Sequence, residues 1–276
     1  MIAKANFFII GAGKSGTTAL WSHLDQHPQV AMSTTKEPSF FSQDAAFAKG
    51  VNWYHQLYRP DASTIAMGEA SNSYSATGHW PNSPARIAAY NPDARIIYIV
   101  RDPLTRTESD WIEYTRQYDI SFSEFLASNE LCHDKNDYQR QLAAYREHFP
   151  EEQILVLLFE DLIADRPSLL RRIGDFLGLD PQIGFAGDAA RRASTEQGQH
   201  RPLALRIRRS ILYRSLSRFL PQAIRKGASQ FATTAREIDR PEWSETERRA
   251  FRERYEASSH KFLTGNGYHP ARWPFE

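Results

Sequence analysis

The sequence predicts an α/β protein with a three-layer, P-loop-like fold, in which helices flank a central parallel sheet. Three near-continuous apolar runs indicate strands buried on both faces, namely Asn6–Ile10, Arg95–Val100 and Gln153–Phe159. Helical patterns separate these runs, and a glycine-rich loop follows the first of them. Strands that alternate with helices are typical of a doubly wound sheet, so we expect that architecture here.

The remaining predicted elements fill the intervals between these strands. A fourth strand is expected over Thr64–Gly68. Helical periodicity predicts helices over Thr17–His27, Pro84–Tyr90, Leu104–Gln117, Asp137–Phe149, Ser168–Leu177 and Ser244–Leu263. We expect one domain over 1–276, with a core over 5–180 and a basic helical lid plus a C-terminal helix over 181–276.

Composition limits the compartment and the partners. The net charge of +1 gives the chain no general attraction for nucleic acid. The single cysteine, Cys132, excludes an internal disulfide and a cysteine-rich metal site. The first apolar run is too short for a signal peptide, and no segment approaches the ~18 apolar residues of a membrane span. We therefore expect a soluble, cytoplasmic protein.

The loop after the first strand has the composition of an anion site. It contains Gly13, Lys14, Ser15, Gly16, Thr17 and Thr18, and a helix begins at its end. Glycines let backbone N–H groups turn inward, the helix adds its positive end, and lysine and threonine add a charge and hydroxyl donors. The ATP-binding pattern GxxxxGK[ST] fails, because Phe8 stands where its first glycine belongs. The alternative is a tight turn with glycines for geometry alone.

A second anion site is predicted after the strand expected over Arg95–Val100. Arg101 follows that strand directly, and Ser109 lies on the next helix. Arginine binds phosphate through two parallel hydrogen bonds, and a serine can add a third. Because ligands of open α/β sheets bind beyond the carboxyl ends of the strands, this site should adjoin the glycine loop. The alternative is a surface ion pair between Arg101 and Asp102.

Two glutamates are candidates for chemistry. Glu37, in Lys36-Glu37-Pro38-Ser39-Phe40-Phe41, is a candidate general base, with the aromatic pair anchoring its loop in the core. The alternative for Glu37 is a solvated turn. Glu69 follows the predicted strand Thr64–Gly68, and it either contacts the acceptor or Lys14, or serves as a structural carboxylate.

The chain resembles the sulfotransferases that use 3′-phosphoadenosine-5′-phosphosulfate (PAPS), in particular the branch with heparan sulfate N- and O-sulfotransferases and their bacterial relatives. Four motifs carry the resemblance in the family's order: FFIIGAGKSGTTAL, KEPSFF, GEASNSY and IIYIVRDPLTRTESDW. The later stretch QILVLLFEDLIADRPSLLRRIGDFLGL is also similar, so the resemblance runs from Asn6 to about Leu179.

The resemblance implies a role for each matching residue. Lys14 and the Ser15–Thr18 loop would hold the 5′-phosphosulfate, and Lys14 would stabilise the leaving phosphate. Arg101 and Ser109 would bind the 3′-phosphate, and Glu37 would occupy the position of the catalytic base. The product would be adenosine 3′,5′-bisphosphate (PAP), and we expect no metal requirement because lysine and backbone donors can neutralise the developing charge.

The acceptor is the least defined part of this interpretation. The family favours a hydroxyl (or amine) of a carbohydrate or glycoconjugate, whereas a lipid or small molecule is the alternative. The chain departs from several heparan sulfate O-sulfotransferases at Ala70, where those relatives carry a lysine that helps bind the acceptor. The stretch Gln197–Arg236 contains basic residues and no acidic one. It could bind an acidic sugar, contact an anionic membrane surface through 201–226, or form a solvated lid.

Two other function classes compete with a sulfotransferase. A P-loop kinase or NTPase would use Asp102 as a magnesium ligand, although the misfit at Phe8 and the positive charge of Arg101 count against it. A non-catalytic binding module would keep the fold without the chemistry, and Glu37 counts against that.

Overall fold

A computed structural model describes residues 4–185 and 239–275. Its centre is a five-stranded sheet in the order β2-β3-β1-β4-β5, and every neighbouring pair is parallel. The strands are β1 (Phe7–Gly11), β2 (Val30–Met32), β3 (Ala66–Ala70), β4 (Arg95–Val100) and β5 (Ile154–Leu158). The predicted α/β fold with a central parallel sheet is therefore confirmed.

The sequence analysis missed one strand and misplaced another. Strand β2 has three residues, too few for a recognisable apolar run, and it forms by pairing with β3 at the sheet edge. Strand β3 lies two residues later than predicted, because the ladder with β1 pairs Phe7 with Gly68 and Phe8 with Glu69. Glu69 therefore lies within the strand rather than after it.

Helices flank the sheet, and the six predicted ones form close to their predicted positions. They are α1 (Thr17–Asp25), α2 (Asp44–Phe47), α3 (Val51–His55), α4 (Ser83–Tyr90), α5 (Pro103–Tyr114), α6 (Phe122–Ser128), α7 (Glu130–Asn136), α8 (Tyr138–Arg146), α9 (Phe159–Ala164), α10 (Arg166–Leu177) and a C-terminal helix (Glu245–Gly265). Of these helices, α2, α3, α6, α7 and α9 were not predicted. Helix α10 ends at Gly178, whose φ of 74° lies in the left-handed region that favours glycine.

The core has an aliphatic part and an aromatic part, because side chains alternate across β1. Phe7 and Ile9 pack with Leu20 and Leu24 of α1 in the aliphatic part. Phe8 instead contacts the ring of Phe41 edge-on, with the ring centroids 5.5 Å apart. Burial of apolar side chains against both faces is what holds a parallel sheet together.

Two compact units make up the described chain. The first contains residues 4–106, 130–185 and 249–275, and it holds the whole sheet. The second contains residues 107–129 and 239–248, where the indole of Trp243 donates to Oε1 of Glu108 at 3.0 Å. The single-domain organisation stays a prediction. The basic stretch 197–236, including 201–226, lies outside the described residues.

In the ranges 4–185 and 239–275, no helix is both long and apolar enough to cross a membrane.

Candidate active site

The glycine loop connects the carboxyl end of β1 to the first turn of α1. Lys14 has a φ of 67° and Gly16 a φ of 87°, so the backbone takes the left-handed conformation twice within three residues. The backbone N–H of Ser15 donates to the carbonyl of Ala12 at 3.3 Å. Lys14 is partly buried, Thr17 is buried and Thr18 is exposed. This curled backbone at a helix start can receive an anion.

Gly16 is required by packing as well as by conformation. A β-carbon at Gly16 would lie 2.8 Å from Cδ2 of Phe159 and 2.9 Å from Cδ2 of Leu162. The loop therefore lies directly against α9. The hydroxyl of Ser15 is fully buried and finds no hydrogen-bond partner among the residues that the structure describes. A buried hydroxyl without a partner is costly, and an anion seated in the loop would satisfy it.

Arg101 adjoins the loop, as the sequence predicts for two neighbouring anion sites. Its Nη1 donates to the carbonyl of Lys14 at 3.5 Å, and its Nε donates to the hydroxyl of Thr105 at 3.0 Å. Its guanidinium lies over the ring of Phe159, 4.9 Å from the centroid. The hydroxyl of Tyr138 fixes the backbone by donating to the Arg101 carbonyl at 2.8 Å.

Ser109 lies on α5 in the second compact unit, whereas Arg101 belongs to the first. The shared role of Ser109 and Arg101 at a 3′-phosphate stays a prediction.

Asp102 has a structural task at the start of α5. Its carboxylate accepts the N–H of Thr105 at 2.9 Å, and its own N–H donates to Glu160 at 2.9 Å. Burial raises the pKa of the Asp102 carboxyl group above its ordinary value. The bond from the N–H of Thr105 is the one expected of a helix N-cap. Across residues 4–185 and 239–275, no three His, Cys, Asp or Glu side chains are grouped as metal ligands would be.

Glu37 lies at the edge of the site in a strained loop. Its φ is 57°, and that of Ser39 is 52°. With Lys14, these are the non-glycine residues of the described chain that have positive φ. Such conformations persist where the surroundings impose them, often at functional sites. The backbone N–H of Glu37 donates to the carbonyl of Ala70 at 3.1 Å.

The aromatic pair anchors this loop, as the sequence analysis expected. Phe40 and Phe41 are fully buried, and the ring of Phe40 stacks on Tyr54 with centroids 4.6 Å apart. The N–H of Ser39 also donates to the hydroxyl of Ser71 at 3.0 Å. The carboxylate of Glu37 nevertheless remains accessible, with 39% of its side chain exposed. A solvated turn alone would not be held at so many points.

Two donors converge on one oxygen of Glu37. Nζ of Lys36 lies 2.5 Å from Oε1, and Nδ2 of Asn72 donates to the same atom at 2.7 Å. The sequence analysis assigned no role to Asn72, although it follows β3 at the carboxyl edge of the sheet. A β-carbon at Gly13 would lie 3.9 Å from Cβ of Asn72. Asn72 thus connects Glu37 to the glycine loop.

The sequence left Glu69 either as a contact of the acceptor or Lys14 or as a structural carboxylate, and its surroundings are those of a structural carboxylate. It is fully buried, and its carboxylate accepts hydroxyl hydrogen bonds from three residues at 2.6–2.7 Å: Tyr54, Tyr74 and Ser71. Burial raises its pKa to about 7, against the lowering effect of those hydrogen bonds. No part of this carboxylate is exposed to an acceptor.

The comparisons with known proteins agree on one family. The family profile described as "Sulfotransferase domain" matches residues 4–219. The chain is 35% identical to heparan sulfate glucosamine 3-O-sulfotransferase 3B1 of Mus musculus over 182 residues, which cover 62% of this chain and 45% of that enzyme. It is 27% identical to the human bifunctional heparan sulfate N-deacetylase/N-sulfotransferase 3 over 204 residues, or 65% of this chain and 23% of that protein. The chain thus spans less than half of either relative.

A solved structure has a similar fold. The crystal structure of a sulfotransferase from Alicyclobacillus acidocaldarius superimposes with a TM-score of 0.60 at 27% identity, covering 71% of this chain and 90% of that one.

Proposed function

The chain belongs to the sulfotransferase family, and we propose that it transfers the sulfuryl group of PAPS to an acceptor, with Glu37 as the general base. The observation that carries this proposal is the connection of Glu37 through Asn72 to Gly13 of the glycine loop. A base and an anion loop held by the same amide can present an acceptor group to a bound donor. Left-handed backbone at both Lys14 and Glu37 supports a functional origin for this geometry.

The residues of the loop suit the donor's 5′ end. Lys14, Ser15, Gly16, Thr17 and Thr18 supply a charge, hydroxyls and the N–H groups of a helix start, and the unpartnered hydroxyl of Ser15 fits an anion there. Arg101, beside the loop, is assigned to the 3′-phosphate together with Ser109. Two separate cationic sites would distinguish this donor from ATP, which lacks a 3′-phosphate.

Sulfuryl transfer requires the protein to position donor and acceptor, to remove a proton from the acceptor and to stabilise the charge of the leaving phosphate. The donor supplies a sulfuryl group whose bond to the bridging phosphate oxygen breaks as sulfur bonds to the acceptor atom, leaving PAP. Glu37 takes the proton of the acceptor group, since Oε2 accepts no hydrogen bond from residues 4–185 or 239–275. Lys14 stabilises the negative charge that develops on the bridging oxygen. We propose that no metal is required.

For the acceptor, we propose a hydroxyl or amine of a carbohydrate or glycoconjugate, on the strength of the family's glycan-directed members. A lipid or a small metabolite is the alternative acceptor. Contact of 201–226 with an acidic acceptor or a membrane surface, and a cytoplasmic location, stay predictions from the sequence alone.

The direct test is transfer of labelled sulfuryl from PAPS to a panel of glycans, lipids and small alcohols, with EDTA present. Glu37→Gln keeps an oxygen to accept from Asn72 but cannot take the proton, so transfer should fall about 10²–10⁴-fold. Affinity for PAP, measured by calorimetry, should stay within about twofold of the wild type. Glu147→Gln, which changes an exposed glutamate directly after the end of α8, is the matched control.

The same binding assay distinguishes a sulfotransferase from a kinase, because it can compare PAP with ATP in the presence and absence of magnesium. Binding of PAP without magnesium, and no tighter binding of ATP when magnesium is added, is the expected result. Tight, magnesium-dependent binding of ATP would contradict the proposal that PAPS is the donor. Full transfer activity of Glu37→Gln would contradict only the assignment of Glu37 as the general base.

A further inference from the structure

We infer that Lys135 is a second donor-binding cation, which contacts the 5′ end of the bound nucleotide from the side of the loop formed by Gly13. A β-carbon at Gly13 would lie 3.9 Å from Nζ of Lys135. The ammonium group therefore lies beside the backbone of the glycine loop. This inference rests on the proposed function and adds a residue that no sequence motif indicated.

Helix α7 holds Lys135 in place through both of its neighbours in the chain. Asp134 is buried and accepts from Nε2 of Gln141 at 2.8 Å. Asn136 is buried on the other side, where its side-chain oxygen accepts from Nε of Arg106 at 2.5 Å. Anchors directly before and after Lys135 fix the position of its backbone, so binding an anion requires only its side chain to be ordered.

The charge of Lys135 is not neutralised within the described chain. Its Nζ forms no hydrogen bond or ion pair with residues 4–185 or 239–275, although the residue is partly buried. Asp134 cannot serve as its partner without losing others, since its carboxylate already accepts from Gly78, His79, Arg140 and Gln141. A partly desolvated cation beside an anion loop is stabilised when an anion enters the loop.

The position of Lys135 predicts which end of the nucleotide it contacts. Gly13 belongs to the loop assigned to the 5′-phosphosulfate, whereas Arg101 is assigned to the 3′-phosphate. Lys135 and Lys14 would then share the negative charge of the phosphosulfate, and after transfer that of the 5′-phosphate of PAP. Two cations at the leaving phosphate would lower the need for a metal there.

The test compares two ligands that differ only at the 5′ position. Affinities for PAP and for adenosine 3′-monophosphate are measured by calorimetry on the full chain, for the wild type, Lys135→Met and Lys135→Arg. Lys135→Met should weaken PAP binding about tenfold to a hundredfold, the usual size of a lost charge-assisted hydrogen bond. It should leave adenosine 3′-monophosphate within about twofold, and Lys135→Arg should recover most of the loss. Lys49→Met is the control, because Lys49 lies over the ring of Trp53 at 4.2 Å instead.

The outcomes separate this inference from the proposed function. A wild-type protein that binds neither ligand contradicts the proposed function itself. A wild type that binds PAP while Lys135→Met binds it equally well overturns the role of Lys135 alone. An equal loss for both ligands overturns it too, since a general disturbance does not depend on the 5′-phosphate. Melting temperatures measured alongside show that the variants are folded.

Discussion

The side-chain amide of Asn72 donates to Oε1 of Glu37 at 2.7 Å, while the same side chain lies against Gly13 of the glycine loop. One residue thus fixes the distance between the candidate base and the backbone that would hold the donor. Nζ of Lys36 also contacts Oε1, but Lys36 directly precedes Glu37 in the chain. That contact therefore does not fix the position of Glu37 relative to the glycine loop. We therefore expect Asn72 to act as a positioning residue, whose effect appears in the rate rather than in donor binding.

Asn72→Ala tests that role. Without the amide, Glu37 keeps its strained backbone but loses the bond that orients its carboxylate, and kcat should fall about tenfold to a hundredfold. Affinity for PAP and the melting temperature should change little, because Asn72 is partly buried and its side chain lies at ordinary van der Waals distance from Gly13 of the loop. Asn52→Ala on the exposed side of α3 is the control. A loss of PAP affinity as large as the loss of kcat would assign Asn72 to donor binding instead.

Arg101→Met tests the assignment of the 3′-phosphate. Methionine can still pack on Phe159, but it cannot donate to a phosphate. Affinity for PAP and for adenosine 3′-monophosphate should each fall about tenfold to a hundredfold. Affinity for adenosine 5′-monophosphate should fall much less, the reverse of the pattern expected for Lys135→Met. A loss confined to ligands with a 5′-phosphate would contradict the assignment of Arg101 to the 3′-phosphate and would place it at the 5′ end instead.

Gly16→Ala separates conformational strain from packing in the glycine loop. Gly16 and Gly178 both have left-handed backbone, with φ of 87° and 74° and ψ of 10° and 29°, but a β-carbon at Gly178 meets only Nη1 of Arg95, at 3.9 Å. Gly178→Ala should therefore reduce the free energy of unfolding by about 1 kcal/mol, from strain alone. Gly16→Ala should cost about 2–4 kcal/mol, because it also clashes with Phe159 and Leu162. Equal costs, measured by urea unfolding, would mean that the loop and α9 separate without penalty.

Glu69 makes stability depend on pH. Its pKa is raised from 4.5 to about 7 in the folded protein, so folding favours the protonated carboxyl. The stabilisation is fully present below pH 4.5 and is lost as the pH rises through 7. Relative to Glu69→Gln, which cannot ionise, the wild type should lose on the order of 3 kcal/mol between pH 4.5 and 8. Parallel unfolding curves for both proteins over that range would show that Glu69 ionises without cost.

The glycine loop and the main strands were predictable from the sequence because their signals are local. A buried parallel strand appears as an apolar run such as Phe7–Ile10, and the loop after it combines glycines with Lys14. The position of Arg101 beside the loop was also predictable, because the carboxyl ends of parallel strands meet at one edge of the sheet. Glu37 stood out through the aromatic pair that follows it, although only the structure shows that its backbone is left-handed.

The other site features depend on contacts between distant parts of the chain, which no local pattern encodes. Strand β2 is too short to be recognised and exists through its pairing with β3. Glu69 could be judged only when Tyr54 and Tyr74 were seen to enclose it, since a carboxylate after an apolar run looks the same whether exposed or buried. The sequence by itself determined the fold class and the position of the glycine loop, and it singled out Glu37 as the candidate base. Tertiary structure alone decided that Asn72 joins the candidate base to the glycine loop and that Lys135 lies beside Gly13, because both depend on how separate helices and strands pack.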